Sequence, residues 1–221
     1  MKTKNKQKYR DHFSRDKHRL LDYLFLYEND PNNIGECYRD KSIDIDPTHG
    51  IELLTDIFLN SKFIFKEYEH KCINAGLGYL LGYSGMVSSI FIEKNRVSIG
   101  AIYNFIDSIY FLFEQLFYIE CSKRHNENKP LDYICNMWWD FFPEVESEKI
   151  NKKCIEIMSL SLSLNSLSCQ ESALHGLGHM QHRFPEIVKN IINSYLLEPI
   201  NKDIKDQLYS YAIDARNGNV V

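Results

Sequence analysis

The sequence predicts an all-α fold made of stacked antiparallel helical hairpins. From Ile51 onward the apolar residues recur at helical spacing, and polar or helix-breaking residues separate the periodic segments. The sequence contains no series of alternating strands joined by hairpin turns. Because most connections between the segments are short, consecutive helices are expected to pack antiparallel.

The chain is predicted to form one domain that follows a basic N-terminal segment. Its 221 residues, of which 44% are hydrophobic and 13% aromatic, suffice for a substantial core. Residues 1–17 are predicted to be a flexible, basic N-terminal segment, and residues 18–221 are predicted to form a single all-α domain. A short amphipathic helix is predicted over 18–30, and it is expected to end in the turn-rich segment NDPNNIG. Residues 36–50 are predicted to be a loop.

The remaining helices follow from hydrophobic periodicity and helix punctuation. They are predicted over 51–60, 62–81, 84–93, 98–123, 130–141, 147–163, 169–183, 185–197 and 202–215. Polar residues of the 98–123 helix are confined to about a third of its circumference, so this helix is expected at the centre of the stack. The segment YICNMWWDFFP carries two tryptophans and two phenylalanines before Pro143, which predicts an aromatic part of the core.

Charge is distributed unevenly along the chain. Residues 1–19 contain eight Lys or Arg and two Asp, which leaves 18 basic and 28 acidic residues, a formal charge of −10, for the rest. Such an acidic body repels nucleic acid and favours basic partners, although a solvated surface that only aids solubility explains the same charge. No nucleic acid is therefore expected among the partners.

The sequence predicts a soluble, cytoplasmic protein. No stretch of about 18 uncharged apolar residues is present, so no membrane span is expected. The N-terminus has neither the apolar region nor the small-residue cleavage site of a secretory signal. Six scattered cysteines form no C-x-x-C pair and no short disulfide framework, which is typical of reduced, buried thiols.

The segment CQESALHGLGHMQHRFPEIV, from Cys169 to Val188, is predicted to be part of an α-helical hairpin. Ser168 and Glu171 have the spacing of a capping box at the start of its first helix. On a helical wheel the apolar residues share one arc, and a polar stripe shares the opposite arc: Glu171, His175, His179 and His182. Pro185 suits the first position of the second helix.

This hairpin resembles a HEAT-type repeat in its Ala-Leu, its Leu-Gly and the proline before its second helix, over about 25 residues. The Gly-Leu-Gly pattern of this hairpin recurs about 100 residues earlier, in INAGLGYLLG at 73–82. Gly76 and Gly78 are therefore expected to allow the same close helix packing as Gly176 and Gly178. CQESALHGLGH and MWWD also resemble stretches of bacterial immunity proteins encoded beside secreted toxins. The resemblance implies an irregular α-solenoid that binds a cognate protein toxin.

The histidines raise the alternative of a metal site. His175 and His179, or His179 and His182, are spaced so that two side chains meet on a helix. His175 and His182 are separated by about 10.5 Å of helical rise, which prevents all three from sharing one ion easily. HGLGH also lacks the glutamate of H-E-x-x-H, so the resemblance to zinc proteases ends at the spacing. A polar face that meets a partner or another helix is favoured over a metal site, and histidines that are simply exposed are the remaining interpretation.

No organised catalytic set is recognisable in the sequence. The glycine-rich stretches match neither a P-loop nor a dinucleotide fingerprint, and Cys169 and Ser84 are interpreted as structural. The prediction is a non-catalytic immunity protein without cofactor or metal, whose partner is a cognate toxin such as a basic nuclease. Its contact residues are expected to include the polar stripe and, beside the tryptophans, Asp140. The alternatives are a metal-dependent hydrolase that uses His175 and His179, and a general protein-interaction scaffold.

Overall fold

The computed structural model describes residues 2–26, 45–82, 85–92, 96–143, 145–198 and 202–220, and of these, residues 2–10 and 92 are described by their backbone only. Throughout these residues the regular secondary structure is helical, which confirms the predicted all-α class. Ser84 and Cys37 lie outside the described residues. None of the described helices is both long and apolar enough to cross a membrane.

The N-terminal part differs from the predicted helices at two places. It contains α1 (Lys2–Phe25), α2 (Pro47–Leu59), α3 (Ser61–Ile64), a 3₁₀ turn (Phe65–Glu67), α4 (His70–Leu81) and α5 (Met86–Ile92). The first helix is therefore longer than the predicted 18–30, and the helix predicted over 62–81 is broken at Tyr68, whose backbone is extended. The break allows the rings of Phe65 and Tyr68 each to lie 5.2 Å from that of Phe25.

The central part of the chain contains one long helix, a π-helical turn and three short helices. Its elements are α6 (Ile99–Leu112), a π-helical turn (Phe113–Phe117), α7 (Tyr118–Glu120), α8 (Asp132–Asn136) and α9 (Trp138–Phe141). The helix predicted over 130–141 is interrupted at Met137, where the backbone leaves helical geometry. This interruption lies immediately before the two tryptophans.

The C-terminal part follows the prediction closely. Its helices are α10 (Glu148–Ser161), α11 (Leu167–Met180), α12 (Pro185–Leu197) and α13 (Lys202–Asn217). Pro185 occupies the first turn of α12, as predicted.

The core follows a row of packed helices. α6 packs against α2 on one side and α10 on the other, and α11 packs against both α10 and α13. Trp138 is completely buried, and its ring meets those of Phe58, Phe113 and Phe117. The aromatic core around Trp138 is confirmed, and the helix that begins at Ile99 is contacted by two other helices.

The capping box predicted from Ser168 and Glu171 is wrong. The N-cap of α11 is Ser166, and Glu171 lies inside the helix. Ser168 instead donates its hydroxyl to Oδ1 of Asp132 at 2.9 Å. Asp132 also accepts the backbone N–H groups of Ser122 and Lys129, each at 2.7 Å, and the hydroxyl of Ser122. The backbone N–H of Ser168 is bound by the carbonyl of Ser122 at 3.3 Å, so a backbone group distant in sequence takes the place of the local side-chain cap.

Candidate functional site

A close approach between α9 and α11 builds the candidate site. A Cβ atom added to Gly176 would lie 2.7 Å from Cγ of Trp139 and 2.8 Å from its Cβ. Only a residue without a side chain fits this contact, because real Cβ atoms do not approach other atoms so closely. The contact brings Asp140, the residue after Trp139, to the face of α11 that carries His175 and His179.

Three potential ligand atoms meet at this face. Oδ1 of Asp140 lies 2.8 Å from Nε2 of His175 and 2.7 Å from Nε2 of His179, and the two Nε2 atoms are 3.0 Å apart. His175 is nearly buried, with 10% of its side chain exposed, whereas Asp140 exposes 22% and His179 exposes 46%. The triangle therefore lies at the surface and opens on the side of His179.

Hydrogen bonds alone do not satisfy this triangle. An ionised Asp140 only accepts, so bonds to both imidazoles require a proton on each Nε2. The two N–H groups would then face each other, and neither nitrogen could accept from the other. A cation that binds one lone pair from each of the three atoms satisfies them all at once.

A fourth residue orients His175 from α13. The hydroxyl of Tyr211 is hydrogen-bonded to Nδ1 of His175, and their rings stack at an interplanar angle of 14°. Burial raises the pKa of the Tyr211 phenol, and the carboxylates of Glu171, Asp140 and Asp214 raise it further. The phenol therefore stays protonated at neutral pH. When Nδ1 donates its proton to this hydroxyl oxygen, Nε2 of His175 keeps a free lone pair.

The three atoms are suitable metal ligands. Among the described residues they form a group of His and Asp side chains close enough together to share one ion. Imidazole nitrogen and carboxylate oxygen bind Zn²⁺ and other divalent transition metals at about 2.0 to 2.2 Å. An ion about 2.1 Å from each atom would lie about 1.3 Å out of their plane, which leaves its other side free for water or substrate.

The structure divides the predicted polar stripe. His175 and His179 belong to the triangle together with Asp140, whereas His182 follows the last residue of α11 and is exposed. Glu171 lies one turn before His175, where burial raises the pKa of its carboxyl although His125 and His175 act in the opposite direction.

The prediction that the histidine stripe faces away from the core is wrong for His175. This residue is buried because α13 and α9 pack against the polar arc of α11, so both arcs of the helix are covered at that level. The reason is long-range, since α13 returns to α11 after the intervening helix α12.

Tyr211 was missed in the sequence. It lies 36 residues after His175, and nothing in the surrounding residues of α13 distinguishes it from an ordinary packing tyrosine. Cys169 is completely buried and lies near Cys135, which also neighbours Cys121. Burial raises the pKa of Cys135 and of Cys121, so these thiols stay protonated and are poor nucleophiles.

Comparison with known proteins gives no relative for this chain. No protein-family model, no curated protein and no solved structure matches it.

Proposed function

We propose that this protein binds a divalent transition metal ion through Asp140, His175 and His179 and uses it as a metal-dependent hydrolase. The observation that carries the proposal is the convergence of two imidazole nitrogens and one carboxylate oxygen within 3.0 Å of one another. Catalytic metal sites commonly combine three protein ligands with an open position for water. Partial exposure of His179 supports such an opening here.

Each residue has a defined task in this proposal. His175 and His179 provide neutral nitrogen ligands, and Asp140 provides a negative charge that offsets part of the charge of the ion. Tyr211 fixes the ring of His175 and the position of its proton. A bound ion of this kind supplies Lewis acidity and lowers the pKa of a coordinated water toward neutrality.

The test is metal analysis of protein purified without a histidine tag. Elemental analysis is expected to find close to one zinc, iron or related ion per chain, and the His179→Ala variant is expected to lose it. His182→Ala is the matched control, because His182 is exposed and lies outside the triangle. His179 is itself half-exposed, so its replacement is expected to leave the fold intact, which circular dichroism checks.

Two results contradict the proposal. One is protein that takes up no divalent metal after incubation with Zn²⁺, Fe²⁺ or Co²⁺. The other is metal that is retained equally by the wild type, by His179→Ala and by Asp140→Asn, since such metal is bound elsewhere.

A second candidate function is binding of a protein partner, as an immunity protein that covers a cognate toxin. Exposed aromatic side chains favour it, because Phe63, Tyr133 and Tyr209 expose 69%, 60% and 58% of their surface, and aromatic residues are enriched at protein interfaces. The acidic body would steer a basic toxin toward the protein at low salt. A HEAT-like stack of helical hairpins, which exposes extended surfaces, is part of this candidate function.

The neighbouring reading frame and co-expression distinguish the second candidate from the first. An immunity protein is expected to co-purify with the product of an adjacent toxin-like gene and to protect cells from it, whether or not the protein carries a bound metal ion. If the toxin kills equally well in the presence of this protein, a general protein-interaction scaffold replaces the immunity function.

A further inference from the structure

The distances between the three ligand atoms of Asp140, His175 and His179 depend on the coordination geometry that a bound ion would have. The three distances between ligand atoms are 2.7, 2.8 and 3.0 Å. An ion about 2.1 Å from each atom would make ligand–metal–ligand angles of about 85°. Tetrahedral coordination requires angles of about 109° and, at the same bond length, distances of about 3.4 Å between ligand atoms. The triangle is smaller than that and fits one face of an octahedron.

Two histidines and one carboxylate on one octahedral face leave three adjacent positions open. Exposure decreases from His179 through Asp140 to His175, so the triangle opens to solvent on the side of His179. α9, α11 and α13 provide the side chains of the opposite, covered side. The open positions are therefore accessible to a ligand that arrives from solvent.

The charge of the site selects the ligand. Two neutral imidazoles and one carboxylate leave the ion itself with one uncompensated positive charge, so an anionic donor is expected to bind it more tightly than a neutral donor of the same shape. The carboxylates of Glu171 and Asp214 lie nearby and oppose the approach of an anion, so the attraction acts through direct bonds to the ion. Neighbouring open positions on an octahedron are about 90° apart, the separation that two oxygen donors of a five-membered chelate ring occupy. A ligand with both properties is a small oxyanion with two oxygen donors on neighbouring atoms.

We infer that Asp140, His175 and His179 form a facial, octahedral metal site whose substrates are small oxyanions that chelate the ion through two oxygens and carry a hydrolysable bond, such as esters of 2-hydroxy carboxylates. This inference rests on the proposed metal-binding function and specifies its substrate class. The ion holds the substrate by two bonds, and the exposed edge near His179 admits it.

The experiment uses the full, untagged chain loaded with Co²⁺, whose visible absorption is weak in octahedral and intense in tetrahedral coordination. Oxalate and acetohydroxamate serve as chelating probes, and acetate serves as the matched probe with a single carboxylate. The visible spectrum is titrated with each probe, and ultrafiltration measures how much Co²⁺ remains with the protein.

The expected result is a weak spectrum that oxalate and acetohydroxamate change saturably, while Co²⁺ stays bound. Their affinity is expected to exceed that of acetate by about tenfold or more, because the second bond forms at a high effective concentration. His179→Ala is expected to lose both the bound Co²⁺ and the spectral change, and His182→Ala to keep both.

The outcomes separate this inference from the function on which it rests. An intense, tetrahedral spectrum, or equal affinities for acetate and the chelating probes, overturns the facial site and leaves the metal-binding function standing. Absence of Co²⁺ binding by the wild type, or binding that survives His179→Ala unchanged, overturns both.

Discussion

At the scale of single residues, the proton on His175 decides whether Asp140, His175 and His179 can hold a metal ion. Nε2 of His175 is a ligand only when the proton lies on Nδ1, and Tyr211 is the residue within hydrogen-bonding distance of Nδ1. Groups that accept this second ring proton fix the tautomer and the ring orientation of metal-binding histidines. Tyr211 is therefore a positioning residue that acts through His175.

Replacement of Tyr211 by Phe is expected to weaken metal binding by about 10- to 100-fold and to leave the fold intact. Phenylalanine keeps the ring that stacks on His175 but removes the hydroxyl that accepts the Nδ1 proton. Competition with a chromophoric chelator measures the affinity. Tyr209→Phe is the matched control, because Tyr209 lies on the same helix and exposes 58% of its surface. Equal affinities of the two variants would exclude a positioning role for Tyr211.

At the scale of secondary-structure elements, the glycines of α11 and α4 are not equivalent. Cβ atoms added to Gly76, Gly176 or Gly178 would lie within 2.5 to 2.7 Å of neighbouring atoms. Gly78 has room, since the nearest atom to an added Cβ is Cδ1 of Ile134 at 3.9 Å. The expected close approach of helices is therefore found at Gly76 and Gly176, whereas the neighbour of Gly178 is Val220, which lies beyond the end of α13.

Gly176→Ala is expected to destabilise the protein by about 1 to 3 kcal/mol and to weaken metal binding, since the new methyl displaces Trp139 and with it Asp140. Gly78→Ala is the matched control in another helix interior and is expected to be neutral or stabilising by up to about 1 kcal/mol. Urea unfolding and metal titration of both variants test this pair. Equal stability of the two variants would show that α9 does not need Gly176 to approach α11.

At the scale of the whole molecule, Asp132 joins parts of the chain that are distant in sequence. It binds Ser122 after α7, Lys129 in the loop before α8, and Ser168 in the first turn of α11. Burial alone would raise the pKa of this carboxyl, but the hydrogen bonds from Ser122, Lys129 and Ser168 outweigh it and lower the pKa. The ionised form is therefore favoured by folding.

The contribution of Asp132 to stability depends on pH. Because its folded pKa is lower than its unfolded value of about 3.9, its stabilisation is fully present above that value and is lost as the pH falls through the folded pKa. Asp132→Asn is expected to cost about 1 to 3 kcal/mol at pH 7, since donors of Ser122 and Lys129 lose their acceptor.

Urea unfolding at pH 7 and at successively lower pH values measures this dependence. The difference between wild type and Asp132→Asn is expected to shrink below about pH 4. Asp206→Asn, at an exposed position of α13, provides the control and is expected to change stability little at either pH. A difference for Asp132→Asn that stays constant with pH would contradict the linkage.

The sequence alone predicts the helical class, the approximate positions of most helices, the aromatic core around Trp138 and the proline at the start of α12. These features depend on periodicity and on local backbone chemistry, which a single chain displays. It did not determine the breaks at Tyr68 and Met137, because contacts with α1 and the packing of the tryptophans favour them over continued helix.

The sequence also predicts three of the residues that belong to the site. His175, His179 and Asp140 are all candidate contact residues, and the two histidines are a candidate metal-binding pair. The meeting of the three side chains, and the contact of Tyr211 with His175, depend on tertiary contacts that the sequence does not display. Asp140 reaches α11 because Gly176 has no side chain, and Tyr211 reaches it because α13 folds back onto the same face. Both contacts connect residues 35 or 36 positions apart, and helical periodicity extends over only a few residues.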